Sequence, residues 1–155
     1  SDFPWLGANV REAGTAGTDK PMFHKTLDVD IFHVPLDSGA GFVKVGIFGL
    51  CTAATPRLSH PSEKVKFEDP VHHAQRCVKL LQGQQCDVLL ALTHLNLCQD
   101  KEVAQACPEL HAIVGGHDHD PYFLVHSGVP ISKCGQNADH VGVLDFYFKR
   151  ENGIL

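Results

Sequence analysis

The sequence has no long apolar run, no excess of positive charge and no paired-cysteine motif. No stretch approaches the ~18 consecutive apolar residues of a transmembrane helix, so we predict no membrane partner. The formal net charge of -5 at pH 7 argues against binding to nucleic-acid polymers, because such binding needs a cationic face that neutralises phosphates. The six cysteines include no Cys-x-x-Cys pair. Their even number permits disulfides, but their density is below that of a disulfide scaffold, so the cellular location is left unknown.

The composition is typical of one globular domain. The chain has 155 residues, of which 43% are hydrophobic and 20% charged. A chain of this length can bury about two thirds of its unfolded surface. Residues 1–155 are therefore predicted to form a single domain.

Apolar runs interrupted by amphipathic segments predict an α/β fold, in which helices flank a layered mixed sheet. A helix is predicted to begin at Asp69-Pro70, with Asp69 as its N-cap, and to end at Gly83, with the His72-His73 pair at its surface. A shorter helix ending at Ala106 is predicted to be capped by Asp100. Strands are predicted at 3–10, 29–35, 42–50, 86–92, 110–114, 123–126, 131–134 and 141–150, with a loop at 11–22 and a turn at 37–41.

Two of the predicted strands end at histidines. One runs through Thr93 to His94, and the other runs into Gly115-Gly116-His117-Asp118-His119. A strand, a helix and a strand in this order predict a parallel pair, so both loops open at the same edge of the sheet. Because neutral imidazole is a common metal ligand, we predict that His94, His117 and His119 form part of a metal site. In the alternative interpretation, these histidines are structural.

Four stretches carry a family resemblance: VGIFGLCT at 45–52, DVLLALTHL at 87–95, AIVGGHDHDP at 112–121 and ISKCGQNADHVGVLDF at 131–146. Together they resemble the calcineurin-like metallophosphoesterase superfamily, and within it the 5′-nucleotidase group. The resemblance implies that the sheet is part of the family's αββα sandwich.

The same resemblance implies roles for the three histidines. His94 and His117 would bind one ion of a two-metal centre, and His119 would bind the other, while none of the three is implied to be catalytic. In such centres the two ions activate a hydroxide that attacks a phosphate ester, for example a nucleotide. Manganese, iron, zinc and cobalt ions are all compatible with a divalent-metal site of this kind. Asp118 and Asp120 flank the histidines. One interpretation is that they orient the ligands without touching the metal, and the favoured one is that they are solvated loop carboxylates.

The sequence departs from the family in lacking its other ligand motifs, since it contains no Asp-x-His, Gly-Asp or Asn-His. The resemblance therefore implies the C-terminal half of a catalytic domain without the N-terminal half that bears those motifs. On this interpretation the chain alone is inactive. It would need the missing half or a second chain as a partner, and its substrate would be a small phosphate ester. The alternative is a non-catalytic metal-binding or interaction module derived from the same fold.

Overall fold

The computed structural model describes residues 3–14, 21–37, 39 and 41–149. None of the helices in these ranges is long and apolar enough to cross a membrane. The mixture of strands and helices confirms the predicted α/β fold. In chain order the elements are β1 (Trp5–Leu6), β2 (Val10–Glu12), β3 (Thr26–Leu27), β4 (Val29–Pro35), β5 (Phe42–Cys51), α1 (Thr55–Ser59), β6 (Val65–Phe67), α2 (Pro70–Gly83), β7 (Val88–His94), α3 (Leu97–Ala106), β8 (Ala112–Gly115), β9 (Pro121–His126) and β10 (Val129–Cys134).

The central sheet of the described chain has six strands in the order β4-β5-β7-β8-β10-β9. Strands β5, β7, β8 and β10 run parallel, whereas the outer strands β4 and β9 are antiparallel to their neighbours. The parallel pairing of β7 with β8, which α3 connects, confirms the predicted strand-helix-strand unit. The carboxyl ends of the four parallel strands consequently lie at one edge of the sheet, where open α/β sheets bind their ligands.

Helices α2 and α3 cover one face of this sheet and enclose the main hydrophobic core. Helix α2 begins as predicted, because the Asp69 carboxylate accepts a hydrogen bond from the backbone N–H of His72 at 2.7 Å. Leu81 is fully buried, and a Cβ placed on Gly46 of β5 would lie only 2.7 Å from its Cδ2 atom. Gly46 thus lets α2 approach the sheet closely.

The start of α3 corrects one prediction. Asn96, not Asp100, is the N-cap: its side-chain oxygen accepts from the backbone N–H of Gln99 at 2.9 Å, and the Gln99 side chain accepts from the backbone N–H of Asn96 at 3.3 Å. This reciprocal pair satisfies two otherwise free donors of the first turn. Asp100 lies inside the helix and is fully buried, so the prediction that it caps the helix was wrong.

His73 corrects a second prediction, because it is buried within the fold. It is 2% exposed, and its Nε2 atom lies 2.8 Å from Glu68 Oε2. Only its neighbour His72 is exposed, as predicted. Adjacent helical residues point in different directions, and the side of α2 that carries His73 packs against the protein.

The N-terminal run predicted as one strand at 3–10 is divided by a turn into β1 and β2. The reason is Asn9, whose fully buried side chain bonds to the end of β5. Its Nδ2 atom donates to the carbonyls of Cys51 at 2.7 Å and Glu68 at 2.9 Å, and its Oδ1 atom accepts from the Cys51 N–H at 2.8 Å. Of the predicted loop at 11–22, residues 15–20 lie outside the described residues, as do residues 38 and 40 of the predicted turn at 37–41.

The second face of the sheet carries no helix in the described residues, and the segment at 141–149 lies on it. The prediction of a strand at 141–150 was wrong for 141–149, which have no strand assignment, and residue 150 lies outside the described residues. A Cβ on Gly142 would lie 2.7 Å from the Cys134 Sγ atom, so the segment contacts β10 through side chains. Further along, it borders an apolar groove lined by Phe32, Val34, Val43, Val45, Val88, Leu90, Phe146 and Phe148, among others.

An ion cluster joins the N-terminal part of the chain to α2. The Asp28 carboxylate accepts hydrogen bonds from Arg11 Nη1 at 2.7 Å and from Arg76 Nη2 at 2.6 Å. Burial by itself raises the pKa of Asp28, but the hydrogen bonds and charges of the two guanidinium groups outweigh it and hold the pKa below the ordinary value of 3.8.

We expect this cluster to make the domain acid-sensitive. Asp28 contributes stability above pH 3.8, and this contribution is lost as the pH falls from there through its lower folded pKa, because the unfolded chain then binds a proton that the folded chain does not. Between about pH 5 and about pH 3, the urea unfolding midpoint of the wild type should fall more steeply than that of Asp28→Asn. Identical pH dependences for the two proteins would contradict this assignment.

Candidate functional site

The candidate site lies at the edge of the sheet where β5, β7, β8 and β10 end. Backbone hydrogen bonds hold the ends of neighbouring strands level: the Thr52 N–H donates to the His94 carbonyl at 3.0 Å, and the Gly116 N–H donates to the Thr93 carbonyl at 2.8 Å. The loops that follow β7 and β8 therefore leave the sheet side by side. The sequence predicted this edge correctly.

The structure brings two of the three predicted metal ligands together. The rings of His94 and His117 are 5.1 Å apart between centroids and meet edge to face at 82°. Gly116 lies next to the pair, since a Cβ at that position would be in ordinary van der Waals contact with His94 Nδ1, at 3.4 Å. His117 itself adopts a left-handed backbone with a φ of 76°. Such a conformation costs a non-glycine residue about 1–3 kcal/mol and is found most often at functional sites.

The His94 imidazole is in a suitable state to bind a metal ion. Partial burial lowers the pKa of His94 below its usual 6.5, and the nearby His117 and the Lys133 ammonium lower it further. The ring is therefore neutral at physiological pH, and neutral imidazole is the form that coordinates metal ions.

His119 does not join this pair. Its side chain is exposed, and the Gly135 position after β10 lies against its backbone, where a Cβ would be 3.2 Å from the His119 carbonyl oxygen. Within the described ranges of the chain, no three His, Cys, Asp or Glu side chains converge on a position that could hold a metal ion. The assignment of all three histidines as ligands thus stays a prediction.

Sequence reasoning missed Lys133, whose fully buried side chain lies beneath both histidine loops. Its ammonium donates to the carbonyls of Leu95 at 2.5 Å and Gly116 at 2.8 Å, and to Asp118 Oδ2 at 2.7 Å. It also pairs with Asp100 Oδ2 at 2.7 Å. A signal was present in the strand alternation, because Lys133 follows the core residues Val129 and Ile131 at intervals of two.

Asp118 was therefore misinterpreted as a solvated loop carboxylate. Its side chain is 25% exposed and bonds to Lys133. Asp120, by contrast, is exposed as predicted. The difference arises because the loop places the carboxylate at 118 over the end of β10, where the ammonium of Lys133 is available.

Asp100 and Thr93 complete the buried network. The Thr93 hydroxyl donates to Asp100 Oδ1 at 2.7 Å. Burial raises the pKa of Asp100, while Lys133 and Thr93 oppose that increase by stabilising the carboxylate. Gly115 leaves space for these groups, since a Cβ there would lie 3.0 Å from both Lys133 Cε and Thr93 Oγ1. The close packing of Lys133 and Thr93 thus explains why residue 115 is a glycine.

Comparison with known proteins finds relatives among the 5′-nucleotidases. The snake venom 5′-nucleotidase of Gloydius brevicauda is 30% identical over 132 residues, which cover 85% of this chain and 21% of that protein. The 5′-nucleotidase of Diplobatis ommata is 34% identical over 168 residues, covering 96% of this chain and 28% of that protein. The solved structure of the calcineurin-like phosphoesterase YfkN from Bacillus subtilis matches with a TM-score of 0.73 at 21% identity. The chain is homologous to one part of the 5′-nucleotidases, and its fold is that of a calcineurin-like phosphoesterase.

This family assignment confirms the resemblance predicted from the sequence motifs. The match to YfkN covers 87% of this chain and 47% of the YfkN chain. No family model matches the chain. The chain spans between 21% and 28% of the two 5′-nucleotidases described above, so it corresponds to one part of larger phosphoesterases.

Proposed function

We propose that this chain is the C-terminal half of the catalytic domain of a metal-dependent phosphoesterase. The observation that carries the proposal is the pairing of His94 and His117, whose rings lie 5.1 Å apart at the ligand-binding edge of the sheet. The relatives are named 5′-nucleotidases, which supports nucleoside 5′-phosphates as the substrate class.

The donor set suits a divalent metal ion but is incomplete. In this proposal His94 and His117 hold one ion, and His119, exposed two residues further along the loop, holds a second. Two imidazoles are fewer than the four ligands of a tetrahedral zinc site, so in this proposal the other ligands come from outside the described residues. When bound, two such ions lower the pKa of water and stabilise the negative charge that develops on the phosphate. Manganese, iron, zinc and cobalt are all compatible with imidazole ligands.

The residues of this chain orient the centre and do not act as the nucleophile. His94 and His117 present their rings from two loops that neighbouring strand ends fix. Imidazole ligands carry no negative charge, so they leave the positive charge of the ions available to the phosphate. This arrangement favours substrates with a compact anionic group over neutral esters.

We further propose that the rest of the catalytic domain covers the helix-free face of the sheet. That face carries partly exposed apolar side chains, including Leu92 at 46% and Val114 at 36% exposure. The apolar groove bordered by Phe146 and Phe148 continues this surface. Large exposed apolar patches mark surfaces that bind a partner. The segment 141–148, which forms no strand in the described chain, would then pair with a strand of a second sheet in that missing part.

The test uses the full-length protein that contains this chain. We expect metal analysis to find two ions per molecule, and hydrolysis of an aryl phosphate and of a nucleoside 5′-phosphate to stop after chelation. Returning manganese, zinc or cobalt to the chelated protein should restore turnover, because the ligands are preorganised by the fold.

Other outcomes separate the alternatives. One bound ion or none, with no turnover on either substrate, would identify a non-catalytic module derived from the same fold. Turnover that survives complete metal removal would contradict the proposed mechanism while leaving the family assignment intact.

A further inference from the structure

A fully buried lysine is rare at the end of a core strand. Lys133 occupies the position that follows Val129 and Ile131 on the core side of β10, and its side chain has 0% exposure. The neighbours show that this side of the strand accommodates aliphatic residues. Burying an ammonium carries a desolvation cost that only well-placed partners offset. The positions of the groups that bind the ammonium therefore indicate the structural role of Lys133.

The partners of Lys133 come from the two loops that carry the paired histidines. Its Nζ atom contacts the carbonyl of Leu95, the residue directly after His94, at 2.5 Å. It also contacts the carbonyl of Gly116, directly before His117, at 2.8 Å, and the carboxylate of Asp118, directly after His117, at 2.7 Å. Each loop residue that binds the Lys133 ammonium is thus a direct sequence neighbour of His94 or His117.

Asp100 provides a fixed anchor for the same ammonium. It belongs to α3, it is fully buried, and the Thr93 hydroxyl orients it through a hydrogen bond of 2.7 Å. A lysine ammonium has three N–H donors, and here it faces four oxygen atoms from β7, α3 and β8 or their loops. A methylene chain of the same length would leave the two carboxylates and two carbonyls without this donor.

Stability alone does not account for this arrangement. Buried ion pairs are often no more stabilising than apolar residues of similar volume, and the best supported reason to retain them is structural specificity. Lys133 joins two loops whose contacted carbonyls, those of Leu95 and Gly116, are 21 residues apart in sequence. Without this shared partner, the two loops would be held together mainly by the backbone hydrogen bond from the Gly116 N–H to the Thr93 carbonyl.

We infer that Lys133 is a positioning residue that holds the loops of His94 and His117 side by side, with Asp118 and Asp100 as its counter-ions. It acts through backbone carbonyls and a carboxylate, and it does not touch the metal ion or the substrate. The consequence for metal affinity rests on the proposed function; the consequence for loop order does not.

The experiment compares Lys133→Met, Asp118→Ala and wild type in the full-length protein. Hydrogen exchange followed by mass spectrometry should show roughly tenfold faster exchange in peptides covering 94–97 and 115–119 of both variants. Cobalt titration followed by visible absorption should show affinity weakened by about 10- to 100-fold, the effect typical of outer-shell partners. Asp118→Ala retains Lys133 and Asp100, so it keeps the test valid if Lys133→Met fails to fold.

Asp28→Asn is the matched control, because it weakens another ion cluster, which lies beside β4 at the opposite side of the sheet from β10. It should lower the unfolding temperature without changing cobalt affinity or exchange at the two loops. Unchanged loop exchange in folded Lys133→Met or Asp118→Ala would overturn the inference. Absence of cobalt binding by the wild type would instead overturn the proposed function, and accelerated loop exchange would still support the positioning role.

Discussion

Replacing His117 by alanine in the full-length protein is expected to reduce kcat/KM for phosphate-ester hydrolysis by about 10³-fold or more. The reason is that a bound metal ion contributes several kcal/mol of charge stabilisation in the transition state, and each ~1.4 kcal/mol corresponds to a factor of ten in rate. The measurement is steady-state hydrolysis of an aryl phosphate, with metal content determined on the same samples. We expect the loss of activity to accompany a loss of bound metal.

Two companion variants make this result specific. His117→Gly removes the imidazole but accepts the left-handed backbone, for which φ is 76°, so it should lose metal while relieving local strain. His24→Ala removes an exposed histidine outside the site and should leave activity unchanged. Unaltered metal content and rate in both position-117 variants would support the structural interpretation of the histidines and contradict the proposed metal site.

The backbone amides of residues 141–148 are expected to exchange about 10³-fold more slowly in the full-length protein than in an unstructured peptide. In the described chain this segment lies beside an apolar groove without pairing to any strand there. Buried backbone N–H groups nearly always have a hydrogen-bond partner, and the alternating sequence VGVLDFYF suits a strand with one covered face. A second sheet in the proposed missing half would supply hydrogen-bond partners for these backbone N–H groups and would cover the apolar face of the segment.

Hydrogen exchange on the intact protein measures this directly. Peptides from the interior of α2, a 14-residue helix with a buried face, serve as the protected reference. Exchange of 141–148 at the rate of an unstructured peptide would contradict the second-sheet proposal. It would also favour the interpretation of the chain as an independent interaction module.

Local sequence signals predicted the parts of the fold that depend on neighbouring residues. The Asp69-Pro70 start of α2 was correct because the N-cap bond spans only three residues, from Asp69 to His72. The run at 29–35 matched β4, and the run at 42–50 matched β5 to within one residue. The Asp100 cap failed because two polar residues competed for that role, and Asn96 together with Gln99 formed the better local hydrogen-bond pair.

The strand prediction at 141–150 failed for a different reason. Alternation indicates that a segment can form a strand, but pairing requires a free neighbouring edge. Residues 141–149 lie across a face of the central sheet, where no such edge is available in the described chain. The partner that would complete it is not determined by the segment's own sequence.

The sequence by itself determined the α/β class, the parallel strand unit and the edge at which His94 and His117 emerge, because hydrophobic period, helix caps and connection length all act over short distances. Only the tertiary structure decided that these two rings meet, that His119 stays apart from them, and that Lys133 is buried between the loops. Those features depend on contacts between residues 17 and 38 positions apart. Such contacts are selected by packing of the whole sheet and its helices, and no local pattern encodes them.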